Sequence, residues 1–125
     1  MKKRLAVLLV LVAFPVFAGT KTMECVLQGV SERVVFALPE KDGDKPSIDF
    51  VYPVKVSLYS LRNNNLLLMA VDSEDSSRPR LFISAQKAAS KSGYAGQFMT
   101  DAGGNALQLD NGPVLCHLKQ LNRPG

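Results

Sequence analysis

The sequence predicts an all-β protein, a small antiparallel β-barrel or sandwich of about seven to nine short strands with one terminal disulfide. Apolar and polar residues alternate with a period of two in several segments, which is typical of half-buried strands. Clusters of Gly, Pro, Asn, Asp and Ser separate these segments. The only two cysteines lie near the two ends of the expected mature chain.

The first eighteen residues have the layout of a secretory signal peptide. A basic start, MKKR, precedes an apolar run over residues 5–14, and the small residue Ala18 closes the segment. The apolar run is shorter than the roughly 20 residues that a membrane-spanning helix needs, and Pro15 interrupts it. We therefore expect cleavage after Ala18, one β domain over residues 19–125, a periplasmic location and no stable membrane anchor.

Removal of this segment changes the charge balance. The full chain has a formal net charge of +4, but three of its fifteen basic residues lie in the signal peptide and all eleven acidic residues lie after it, which leaves +1. The basic surface that nucleic-acid binding requires is therefore not expected, and no nucleic-acid partner is predicted. The composition indicates no particular oligomeric state.

Cys25 and Cys116 are predicted to form a disulfide. Export would place them in an oxidising compartment, and two is the smallest even number of cysteines. A bridge between the first and last strands would close most of the domain. The alternative is a catalytic pair formed by Cys116 and its neighbour His117, but successive side chains of a strand point to opposite faces.

The first predicted strand after Cys25 covers residues 33–38, where Val34, Phe36 and Leu38 share one face. The stretch PEKDGDKP, residues 39–46, reads as an exposed loop because of its prolines, glycine and charges. A short strand, SIDFVY, is predicted over residues 47–52.

The middle of the chain predicts a hairpin. Val54, Val56 and Leu58 alternate with polar residues and are expected on one face of a strand. The run RNNN, residues 62–65, tolerates positive φ and separates this strand from LLLMAV, residues 66–71. A polar loop is expected over 72–79, followed by a strand at 80–84. Residues 85–93 could extend that strand, form a helical turn or remain a loop.

The last third is predicted to be a meander of three strands, YAGQFMT, NALQLD and PVLCHL, with turns at DAGG, residues 101–104, and at Asn111-Gly112. Asn-Gly between alternating segments is a strong hairpin signal because a type I′ turn needs positive φ at both central residues. Pro113 would then open the final strand. In that strand Val114, Cys116 and Leu118 face one side, and Leu115, His117 and Lys119 face the other.

No catalytic set, metal site or cofactor motif is expected. The single histidine lies beside a predicted half-cystine, so no Ser/His/Asp or Cys/His arrangement can be built. Asp42 and Asp44 around Gly43 lack the further ligands of a calcium loop. The chain is therefore not expected to be an enzyme, and its loops are the surfaces on which we expect binding.

The segment SKSGY followed by QFMTDAGGNALQLDNGPVLC resembles the bacterial inhibitors of c-type lysozyme, in their membrane-bound and periplasmic forms. An exported chain of this size, with one cysteine near the start of the mature protein and one in the last strand, is similar to them too. The resemblance implies a small antiparallel β-barrel with a terminal disulfide between Cys25 and Cys116. It also implies that a serine-glycine loop enters the lysozyme cleft.

Transferred to this chain, the resemblance assigns partner binding to two loops, residues 88–94 and 101–104. The candidate contact residues are Ser90, Lys91, Ser92, Gly93, Tyr94 and Asp101. The sequence departs from the family at the second loop, where Asp101-Ala102-Gly103-Gly104 stands in place of a lysine-glycine segment, and it has no tryptophan.

The predicted function is therefore that of an exported protein that binds another protein, an inhibitor of a lysozyme-like or other cell-wall-degrading enzyme. Two alternatives fit the same observations. One is an immunity protein against a toxin delivered to the periplasm, and the other is a carrier or sensor of a small apolar ligand.

Overall fold

The computed structural model describes residues 21–31, 33–88 and 93–120 and contains seven strands and no helix in those ranges. None of the described residues forms a helix that could cross a membrane. The all-β prediction is confirmed. The strands are β1 Lys21–Leu27, β2 Arg33–Ala37, β3 Val54–Arg62, β4 Asn65–Asp72, β5 Asp75–Lys87, β6 Gly93–Asp101 and β7 Leu109–Gln120.

The seven strands form one antiparallel sheet in the order β2-β1-β7-β6-β5-β4-β3. The sheet curls into a half-barrel, so that β3 to β7 make a consecutive meander and β1 pairs with the last strand. The two edge strands meet through side chains: the rings of Phe36 in β2 and Tyr59 in β3 pack edge to face with centroids 5.9 Å apart.

The connection over residues 38–53 runs between the two edge strands. Because β2 ends at the opposite end of the half-barrel from the start of β3, this connection must return along its whole length. Pro46 and Ile48 are buried on the way, and Ile48 joins the common core. The strand predicted over 47–52 is wrong: the segment is an irregular extended connection that forms no ladder, flanked by Pro46 and Pro53, which have no N–H to donate.

The RNNN turn prediction is confirmed. Asn63 and Asn64 have φ values of 56° and 62°, the left-handed conformation that a type I′ hairpin requires. The loop predicted over 72–79 is much shorter than expected. The Asp72 carboxylate accepts the N–H of Glu74 at 2.8 Å, and β5 begins at Asp75 and continues to Lys87.

The sequence predicts the wrong buried face of β3 from Leu58 onward. The register between β3 and β4 shifts between Val56 and Leu58, as a β-bulge does. Val56 is buried as expected, but Leu58 turns to the exterior, and Tyr59 and Leu61 pack against the core in its place. The extra residue of a bulge reverses the side on which every later side chain lies.

The predicted turn at Asn111-Gly112 is also wrong. Both residues lie inside β7, where Asn111 pairs with Met99 and Gly112 pairs with Phe98. The predicted strand over NALQLD is a loop up to Gln108. A long ladder with β6 extends the chain through this dipeptide, because its pairing energy exceeds the local preference of Asn-Gly for a turn.

The disulfide is confirmed. Cys25 and Cys116 are direct partners in the β1–β7 ladder with Cα atoms 4.0 Å apart, and both are fully buried. The bond indicates an oxidising environment for the folded protein. The largest core side chains fill the concave side of the sheet; they include Met23, Leu27, Val34, Leu66, Leu68, Leu81, Ile83 and Phe98.

Candidate functional site

The first predicted loop lies at the end of the half-barrel where β5 ends and β6 begins. Ser90, Lys91 and Ser92 fall outside the described residues. The ends of the loop are tied together, since the N–H of Ala88 donates to the carbonyl of Gly93 at 2.9 Å. The N–H of Lys87 donates to the carbonyl of Asn64 at 2.8 Å, which attaches the β3–β4 turn to the same end.

The two described candidate residues of this loop are in β6. Tyr94 is 6% exposed and belongs to the core. Gly93 pairs with His117 in β7, and a Cβ at Gly93 would lie 3.1 Å from the Cε1 and Nδ1 atoms of that ring. The imidazole thus covers the position where β6 begins. His117 is on the exterior face, opposite Cys116, as the sequence predicts.

Exposed lysines surround this end, which we call the basic end. It comprises Lys21 at the start of β1, Lys87 at the end of β5 and Lys119 near the end of β7, together with the loop between β5 and β6. Lys119 also pairs with Glu24, as does Arg33. The hydrogen bonds from Lys119 and Arg33 lower the pKa of Glu24, and the bond from Lys119 has the larger effect.

The second predicted loop lies at the opposite end, where β6 ends at Asp101. The Asp101 carboxylate is 2% exposed and accepts four N–H groups. Arg78 donates from Nε at 2.7 Å and from Nη2 at 3.2 Å, and the backbone N–H groups of Gly103 and Gln108 donate at 3.0 and 3.1 Å. The bond from Arg78 holds the pKa of Asp101 well below its usual range despite burial, and the two backbone donors add to it.

Arg80 connects three segments at this same end. Its Nε and Nη2 donate to the Asp72 carboxylate at 2.9 and 2.8 Å, and its Nη1 donates to the carbonyls of Asp101 and Gly103 at 2.9 and 2.7 Å. The guanidinium also lies 4.1 Å from the ring centroid of Tyr52. We call this end, with Asp72, Arg78, Arg80, Asp101 and the loop over residues 102–108, the braced end.

The loop over residues 102–108, which we call the braced loop, and the start of β7 present apolar side chains to solvent. Leu107 is 67% exposed and Leu109 is 56% exposed. Both border a cleft of 470 Å³ beside Met99 and Pro79. The backbone beneath them is compact: a Cβ at Gly103 would lie 2.0 Å from the carbonyl oxygen of Ala106, so this turn admits only glycine.

The two predicted loops are therefore not brought together. They leave from opposite ends of β6, whose nine residues separate them by about 30 Å. The Asp101 side chain points into the network of the braced end, where Arg78 and two backbone amides occupy its oxygens.

Sequence reasoning missed the residues that organise the braced end. Arg78 and Arg80 fell in a predicted loop and at the start of the following strand. Arg78 and Arg80 are two positions apart, on either side of Pro79, so both side chains lie on the same side of an extended chain. This spacing was the only sequence signal that the two arginines act together. Their carboxylate partners could not be chosen without the register of β4, β5 and β6.

No group of three or more metal-ligating side chains occurs within residues 21–31, 33–88 and 93–120. No protein-family model, curated protein or solved structure matches this chain. The fold and the chemistry of its two ends therefore carry the functional argument.

Proposed function

We propose that this protein is exported to the periplasm and inhibits a cell-wall-degrading glycosidase, which it binds through the basic end. The supporting observation is the set of exposed lysines around the tied base of the β5–β6 loop. Glycosidases generally hold two carboxylic acids at the bond they cleave. Exposed lysines are complementary in charge to such a cleft.

The register of the sheet supports the basic end in preference to the braced end. Lys87 is the last residue of β5 and Gly93 is the first residue of β6, so an exposed lysine lies at the base of the loop. Lys91 lies in the connecting loop itself. The arginines of the braced end are already bound to carboxylates and carbonyls, so their charge is unavailable to a partner.

Charge reversal tests this proposal directly. Purified mature protein is mixed with c-type lysozyme, and lysis of cell walls is followed at increasing inhibitor concentration. We expect saturable inhibition that weakens at high salt, because the contact depends on exposed charges. Lys87→Glu and Lys91→Glu should each weaken inhibition by about tenfold or more, equivalent to about 1.4 kcal/mol.

Lys55→Glu is the matched control. Lys55 is exposed in β3 near the braced end, and its substitution changes the net charge by the same amount. We expect it to leave inhibition unchanged. Unimpaired lysis at a large molar excess of the wild-type protein would reject the lysozyme proposal. Equal effects of Lys55→Glu and Lys87→Glu would reject the basic end as the contact.

Other partners remain as alternatives and lead to different results in co-purification from the periplasm. A toxin recovered with the protein would support an immunity function at the same surface. A carrier of a small apolar ligand has less support, because the concave side of the sheet is filled by Met23, Leu68, Ile83, Phe98 and other core side chains.

A further inference from the structure

A cavity of 390 Å³ opens between the end of β3 and the segment that follows β2. Leu38, Tyr59 and Leu61 line it with apolar surface, and all three also pack against the edge of the core. Their side chains are only half-buried, so the core is not closed at this point. The volume is within the range of about 300–1,000 Å³ that is usual for small-molecule sites.

The stretch of β3 that lines this cavity is also a free edge of the sheet. Arg62 and Asn65 flank the two-residue turn, so they form a hydrogen-bonded pair, and bonded and non-bonded pairs alternate from there. Ser60 is therefore bonded to β4. Tyr59 and Leu61, on either side of it, direct their N–H and C=O groups away from β4.

These outward groups have no ladder of their own. Within the described part of the chain, no backbone group on the open side of β3 hydrogen-bonds to Tyr59 or Leu61. Two donors and two acceptors, with the two residues about 7 Å apart along the strand, therefore border the cavity. An extended peptide pairs with such an edge by β-strand addition.

Four exposed charged side chains complete the lining of the cavity: Lys41, Asp42, Asp44 and Arg62. The N–H of Asp44 donates to the carbonyl of Lys41 at 3.2 Å, and Gly43 has a φ of 91°, so a β-turn holds three of the four together. None of the ion pairs in residues 21–31, 33–88 and 93–120 involves any of the four. Both signs of charge thus lie unpaired beside an apolar wall.

We propose that this cavity binds a short peptide with free ends, extended along β3 and hydrogen-bonded to the backbone of Tyr59 and Leu61. Three residues cover the distance between the two bonding positions, because each extended residue advances about 3.4 Å. An apolar side chain of the peptide packs on the apolar wall. Its carboxylate meets the two cations of the lining and its ammonium meets the two aspartates, whereas a ligand of one sign would be repelled by one of these pairs.

NMR titration of the mature protein with the tripeptide alanyl-leucyl-alanine tests the proposal. We expect saturable shifts of the amide signals around the cavity at peptide concentrations up to about 10 mM. Hydrogen exchange of the Tyr59 and Leu61 amides should slow by about fivefold in saturating peptide, because both N–H groups gain an acceptor. Exchange of the Ser60 amide should change little, since its N–H is already bonded to β4.

Two substitutions of one residue separate the backbone contact from the apolar contact. Leu61→Pro removes the side chain and the outward N–H, and an edge strand tolerates proline where the N–H is not in a ladder. Leu61→Ala is the matched control, because it removes the same side chain and keeps the N–H. We expect Leu61→Ala to weaken peptide binding a few-fold and Leu61→Pro to weaken it by about a further tenfold.

The peptide ends provide a test that needs no variant of the protein, should Leu61→Pro fail to fold. The same tripeptide with an acetylated amino end and an amidated carboxyl end should bind about tenfold more weakly, because it has lost both charges. Arg62→Glu should weaken binding of the free tripeptide by a similar factor.

Absence of saturable shifts up to the highest peptide concentration would overturn the proposal. Shifts confined to the braced end would do so too, as would equal affinities for the free and the capped peptide. The proposal is separate from glycosidase inhibition, because it uses neither Lys87 nor Lys91. Leu61→Ala should therefore inhibit lysozyme as the wild type does, so that either proposal can fail without the other.

Discussion

The two ends of the half-barrel use their charged residues in opposite ways. At the braced end, two arginines and two aspartates bind one another and the backbone, and Arg80 and Asp101 are almost completely buried. At the basic end, Lys21 and Lys87 are exposed, and the disulfide and the β1–β7 ladder hold the nearby strands together. A charge is available to a partner only where the fold has not already neutralised it.

The largest expected effect concerns the covalent link near the basic end. Replacing both Cys25 and Cys116 by Ser should lower the free energy of unfolding by about 4–5 kcal/mol in the chain-entropy model, because the bridge closes a long loop. Urea unfolding of this variant and of the reduced wild type should give similar midpoints, well below that of the oxidised protein. Coincident midpoints for the oxidised and reduced proteins would show that the ladder alone holds the strands.

The next largest effect concerns the charge network of the braced end. Asp101→Asn should destabilise the protein by at least about 2 kcal/mol near neutral pH, because Arg78 then faces an amide that cannot accept two charged bonds. The pKa of Asp101 is lower in the folded than in the unfolded protein. Its stabilisation is therefore complete above the unfolded value of about 3.9 and is lost as the pH falls toward the folded value.

Thermal unfolding from pH 7 down to pH 2 measures this dependence. The wild-type melting temperature should fall steeply below about pH 4, whereas Asp101→Asn should start lower and change less over that interval. Asp110→Asn is the matched control, since Asp110 is exposed on the neighbouring strand and should retain the wild-type profile. Parallel pH profiles for the wild type and Asp101→Asn would contradict the assigned role of Asp101.

A smaller effect should separate two adjacent glycines of the braced loop. Gly103→Ala should cost about 1–3 kcal/mol, because its Cβ would overlap a backbone carbonyl oxygen. Gly104→Ala should be close to neutral, since the nearest atom to its Cβ is the Tyr52 hydroxyl at 3.6 Å. Chemical unfolding measures the free energy of unfolding of each variant. Equal values would show that the loop backbone moves to accommodate a Cβ at Gly103.

The smallest expected effect is at the basic end. His117→Ala removes the ring that covers Gly93 and should change the free energy of unfolding by about 0.5 kcal/mol or less, as for most exposed side chains. Hydrogen exchange of the Gly93 and Tyr94 amides should become modestly faster, while amides at the braced end stay unchanged. A loss of inhibition with unchanged exchange would instead make His117 a contact residue.

The parts of the fold that could be predicted depend on local chemistry. The RNNN turn was predictable because Asn63 and Asn64 adopt positive φ without help from distant residues. The Asn111-Gly112 turn was mispredicted because the ladder between β6 and β7 determines the conformation of this dipeptide, which pairs with Met99 and Phe98. Likewise, the bulge that exposes Leu58 depends on the pairing of β3 with β4 and leaves no signal in the alternation itself.

The candidate site divides in the same way. The disulfide could be predicted because only one pairing of two cysteines exists. The burial of Asp101 could not, because its carboxylate is neutralised by Arg78, which lies 23 positions away in the chain. A turn-like context made Asp101 look like a surface residue, whereas long-range pairing places it inside.

The pairing of β1 with β7 has a consequence for the order of folding. The strands from β3 to β7 can assemble by successive hairpins, whereas the hairpin of β1 and β2 joins the sheet only through β7, at the other end of the chain. Until the last strand arrives, Cys25 has no other cysteine with which to react. Bond formation therefore reports completion of the sheet, and its rate can time the last step of folding.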